Sequence, residues 1–138
     1  MSGTTSTPIF TQDGQYLTFV VGSAAVTLGD VVMLSADGTI AGATTGSTAV
    51  IGVVVNGDRI SRTATDNQVA VGSYATVLTR GVVNVNVGTG SITYGTLVEA
   101  YSTGTVQTHT PGSAAYPAVL GKVLTGGATT AQILLTLV

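Results

Sequence analysis

The sequence predicts an all-β protein, a small β-barrel or β-sandwich with an internal duplication and an extended N-terminal arm, on three observations. Thr (25), Val (21) and Gly (19) supply 65 of the 138 residues, and β-branched side chains with turn-forming glycines favour strands over helices. Short apolar stretches recur between turn signals, the signature of a sandwich or barrel. Finally, one part of the chain lies over another with glycines and apolar positions in step. The length suits one domain with one core.

Residues 1–14 hold only Ile9 and Phe10 as apolar anchors among Ser, Thr and Gly. That is too little to bury itself, so this segment reads as an arm in front of a single β domain over 15–138. Strands are expected over 16–21, 31–35, 49–56, 68–71, 74–79, 82–87, 97–101, 118–124 and 132–138. The clearest is Val83-Asn84-Val85-Asn86-Val87, where a period of two puts three Val on one face and two Asn on the other. No window combines helical periodicity with a cap, so any helix is expected to be a short turn.

The duplication is read by laying residues 27–40 over 93–106, an offset of 66, and 50–57 over 119–126, an offset of 69. The pseudo-repeats span about 27–57 and 93–126. In each, a Gly opens a strand, a second sits at a hairpin tip (Asp37-Gly38, Thr103-Gly104), and a third lies inside the returning strand (Gly52, Gly121). A Gly inside a strand marks a bulge or a close backbone approach. Charge enters the duplicated strands at two places: Met33 corresponds to Glu99 and Val53 to Lys122. Two complementary changes imply neighbours on adjacent strands. The expectation is a structural pair, with the Glu99 carboxylate and Lys122 ammonium within ~4 Å and Met33 touching Val53.

Composition excludes several function classes. Charged residues make up 7% and the net charge is -2, which builds no basic field for phosphates, so no nucleic-acid partner is expected. The longest apolar run, 50–55, is far short of the roughly 20 residues of a membrane-spanning helix, and no membrane partner is expected. Residues 1–7 carry no positive charge and no cleavable apolar block, which points to synthesis in the cytoplasm. With zero Cys there is no thiolate chemistry and no disulfide staple.

Acid-base and nucleophilic catalysis need titratable groups held together. The one His, His109, lies in the loop-like Thr108-His109-Thr110-Pro111-Gly112 and reads as a surface residue. Asp13, Asp30, Asp37, Asp58, Asp66 and Glu99 follow no calcium-loop spacing. Gly88-Thr89-Gly90 lacks the third Gly of a dinucleotide fingerprint, and Lys122 lacks the rest of a phosphate-binding loop. The expectation is no enzyme, no cofactor and no metal. The most polar segment, 58–66, holds Asp58, Arg59, Arg62 and Asp66. It reads either as a solvated loop joining the halves or as an inter-subunit or partner contact with the two Arg as forked donors. Abundant Thr also allows a secreted or surface module that binds polysaccharide or ice, although the Thr spacing is irregular.

The runs Gly29-Asp30-Val31-Val32-Met33-Leu34, Asp37-Gly38-Thr39-Ile40-Ala41 and 49–54 resemble the head decoration (cement) proteins of tailed bacteriophages, including the lambda type. So do 76–83, 92–98, Gly104-Thr105-Val106 and Val119-Leu120-Gly121 in the second half. The resemblance covers about 27–138. It implies a small β-rich, tulip-like fold and a homotrimer seated on the outer surface of an icosahedral virion. The major capsid protein is the implied partner, and the function is to stabilise the shell by clamping neighbouring subunits. It also implies that the arm, with Thr4, Thr5, Thr7, Ile9 and Phe10, joins a capsid-protein strand, as an unpaired segment does by adding to a sheet edge. This chain is longer than the lambda type and visibly duplicated.

Overall fold

The structure is a computed structural model and describes residues 15–57, 67–110 and 119–137. Eleven strands are formed among them: β1 (Gln15–Val21), β2 (Val26–Thr27), β3 (Val31–Ala36), β4 (Thr39–Gly42), β5 (Val50–Gly57), β6 (Gln68–Val69), β7 (Tyr74–Asn86), β8 (Leu97–Ala100), β9 (Val106–Thr108), β10 (Val119–Thr125) and β11 (Thr130–Thr136). The one helical element among the described residues is the 3-10 turn Ser102–Gly104, so none is long and apolar enough to cross a membrane. The all-β expectation holds.

The strands form two five-membered rings that share β7. In the first, β1 pairs with β4 in parallel, β4 with β3, β3 with β5, β5 with the first half of β7, and β7 with β1, so the ring closes. In the second, the latter half of β7 pairs with β11, β11 with β10, β10 with β8 and β8 with β9. The parallel bridge between Val87 and Val106 completes it.

The two rings match residue for residue. Val32 stands opposite Gly52 in the first, and Val98 opposite Gly121 in the second, which are the offsets of 66 and 69. Met33 opposite Val50 becomes Glu99 opposite Val119. The pairing of Val21 with Ile40 becomes the Val87–Val106 bridge. The second half of β7 plays the part of β1, and β11 that of the first half of β7: Leu17 opposite Val77 becomes Val83 opposite Ile133.

Alternation along the strands fills each ring with aliphatic side chains. Val21, Val32, Ile40, Val54, Ala75 and Val77 fill the first. Their counterparts Val87, Val98, Val106, Val123, Ala131 and Ile133 fill the second. The small β2–β6 pair brings Val26 and Val69 to the first core, and Ile92, the counterpart of Val26, serves the second.

Two features position everything else. The segments 74–79 and 82–87, expected as separate strands, run as one, because Gly81 adopts a φ of 133° in mid-strand, a conformation that favours glycine. There Arg80 pairs with Gln15 on one edge and Thr136 on the other. Gly52 and Gly121 sit beside register shifts in their strands. A Cβ at either would collide with the carbonyl oxygen of the neighbouring strand, Leu78 and Leu134 respectively. Both are therefore close approaches as well as bulge sites.

Candidate functional site

Glu99 is nearly buried on β8, and β9 and the residue just after it supply its partners. Gln107 Nε2–H donates to its Oε2 at 2.9 Å, and His109 Nδ1–H to its Oε1 at 2.7 Å. The His109 side chain is as enclosed as that of Glu99, which corrects its reading as a surface loop residue. The expected Glu99–Lys122 pair is not formed either. Lys122 stands opposite Leu97, Glu99 stands opposite Val119, and Lys122 is exposed with no ion pair among the described residues. In the first barrel Met33, the counterpart of Glu99, stands opposite Val50, and Val53, the counterpart of Lys122, opposite Val31, with the Met33 sulfur 3.5 Å from the Ser47 hydroxyl. The two misses have separate causes: β10 places Lys122 opposite Leu97, two residues along β8 from Glu99, while Gln107 and His109 come to Glu99 from β9 and the residue after it.

A second polar cluster ties the barrels together. Thr27 N–H donates to Asp30 Oδ2 at 2.9 Å, and Asn86 Nδ2–H reaches both Asp30 Oδ1 and the Leu28 carbonyl at 3.1 Å. Asn86 N–H also donates to Gly29 O. Burial pushes the Asp30 carboxyl above its ordinary value, partly offset by the Thr27 and Asn86 donors. Each carboxylate oxygen thus accepts one hydrogen bond, and through Asn86 the side chain holds the seam between the barrels. Among the described residues no three His, Cys, Asp or Glu side chains gather as metal ligands would.

What the described surface presents instead is apolar. Tyr94, Leu97, Leu124 and Leu134 on the second barrel and Leu17 and Leu34 on the first are all exposed. A recess of about 490 Å³, lined by Leu17, Phe19, Ile51 and Leu137 among others, opens where the chain enters β1. The arm residues Thr4, Thr5, Thr7, Ile9 and Phe10 and the polar segment with Asp58, Arg59, Arg62 and Asp66 lie outside the described residues.

Two solved structures share this architecture. The head fiber gp8.5 N base of bacteriophage phi29 matches with a TM-score of 0.58 and 13% identity, covering 89% of this chain and 94% of that one. The capsid of Myoviridae phage XM1 contains a chain that matches with a TM-score of 0.59 and 14% identity, covering 89% and 83%. At such identity the likeness speaks for the fold alone. No curated protein matches the sequence. Residues 4–136 match the family described as structural cement protein (E217 gp24/Pam3 gp6), and the chain belongs to this family of phage structural proteins.

Proposed function

We propose that the protein sits on the outer surface of an icosahedral phage head as a homotrimer and clamps neighbouring major capsid subunits, stabilising the shell by burying interface area. The observation that carries this is the family match over nearly the whole chain. The surface supports it: few charges and several large apolar side chains left exposed favour association over life as a free monomer. The N-terminal arm is the part expected to engage a capsid-protein strand edge.

Co-sedimentation with expanded and unexpanded heads lacking the protein tests the reading. The expected result is saturable binding together with greater resistance of the heads to heat. Removing residues 1–12 is expected to leave a soluble folded protein that binds heads more weakly. Failure to bind either kind of head overturns the proposal; unchanged affinity after deletion overturns the role of the arm.

A further inference from the structure

Because the barrels correspond position by position, any face of one can be compared with the same face of the other. On the first barrel, Val31, Val53 and Leu78 form a row across three adjacent strands and point outward. All three are fully buried, within the apolar cluster they share with the second barrel. The same row on the second barrel is Leu97, Lys122 and Leu134, again side by side in register. Here Leu97 and Leu134 are 37% and 40% exposed.

The opposite side of the joint shows the converse. The β8–β9 hairpin of the second barrel docks on the first: Gly104 N–H donates to the Ala43 carbonyl, Gly46 N–H to that of buried Ala100. A Cβ at Gly104 would lie 2.9 Å from Asp30. The tip of the same hairpin on the first barrel, β3–β4, bonds to β1 of its own barrel through Gly38 and, among the described residues, reaches no part of the second barrel. Leu34, in the place of Ala100, is 44% exposed, and a Cβ at Gly38 would find no atom within 4 Å.

We infer that a second copy of this chain fills both vacancies, the β3–β4 hairpin of one copy docking on the Leu97–Lys122–Leu134 row of the next, repeating between chains the joint that already exists within one. Charge agrees. The hairpin tip carries Asp37 and the row carries Lys122, the only Lys in the chain. The two surfaces differ, so the contact is head-to-tail and propagates into a ring or a filament. Three chains in a ring would set six barrels around an axis. The number three rests on the trimer proposed above; the joint does not.

Sedimentation velocity of the full chain, with and without substitution, tests this. Leu134→Asp and Leu34→Asp are each expected to weaken self-association about tenfold or more while keeping the wild-type circular dichroism. Tyr74→Asp, on an exposed apolar residue that belongs to neither surface, is expected to leave it unchanged. Each of the two variants retains one intact surface, so their mixture should form a one-to-one complex and nothing larger. Should Leu34→Asp fail to fold, Asp37→Lys replaces it, with Lys122→Asp on the same chain restoring assembly. A wild type monomeric at every concentration and on heads, variants that assemble like wild type, or a mixture that stays monomeric overturns the joint. Head binding by co-sedimentation is read separately: a self-associating protein that ignores heads overturns the capsid reading and leaves the joint supported.

Discussion

Leu78 and Leu134 occupy the same place in the two barrels, and truncating each to Ala should have unequal consequences. Leu78 is fully buried between the barrels, with paired strands on both sides, Val53 across one edge and Tyr16 across the other. Backbone held on both edges collapses poorly into a void. The Leu78→Ala loss therefore belongs in the upper part of the range for buried Leu→Ala, about 3–5 kcal/mol. Leu134, 40% exposed, gives up less apolar burial and leaves no closed cavity, so about 1 kcal/mol is expected. Urea denaturation at a concentration low enough to keep the chain monomeric measures both. The midpoints are compared at a shared slope, since a changed slope would signal a changed folded or denatured state. Losses within about 0.5 kcal/mol of each other would refute the packing of the barrels described above.

Gly121→Ala should cost about 1–3 kcal/mol or more, because the added Cβ meets the Leu134 carbonyl oxygen, part of a paired backbone; thermal unfolding that leaves the midpoint unchanged contradicts the close approach. Glu99→Ala should cost about 1–3 kcal/mol by leaving Gln107 and His109 without their acceptor, whereas Lys122→Ala should leave the denaturation midpoint unchanged; equal effects would revive the Glu99–Lys122 pair. Asp30 has a folded value raised above 3.8, so its stabilising contribution is fully present below 3.8 and is lost as pH rises through the folded value. Relative to Asp30→Asn, wild-type stability should therefore decline as pH rises across that window; a difference that grows with pH refutes it.

Much of this fold was legible in the sequence, because a period of two and glycine spacing are properties of the chain itself. Val83, Asn84 and Val85 alternate as expected, buried, exposed, buried. The offsets 66 and 69 recur in the strand pairings. β4 and β9 escaped notice because each is short, with a single buried apolar residue, Ile40 or Val106, and owes its strand form to the neighbours it pairs with. Missing β9 hid the partners of Glu99. The continuity of β7 was obscured by Arg80-Gly81, a turn-like pair by composition that tertiary pairing on both edges holds extended. The joint between the barrels lay beyond sequence reading, since Leu78 and Leu134 are the same residue and only the folded neighbours tell them apart.

The boundary between the two repeats falls inside a strand. The first half of β7 is a wall of one barrel and its second half a wall of the other, so no cut separates them cleanly: a break at Gly81 opens both rings and exposes two sheet edges at once. The smallest autonomous folding unit is then the whole pair, and neither barrel has a melting transition of its own. β1 and β7 are joined across more than fifty intervening residues, so ring closure must await a late, sequence-distant encounter, and folding should be slow for a chain of this size. Once closed, the shared strand makes the molecule resist partial opening, since strain on one barrel is transmitted along a single covalent backbone into the other.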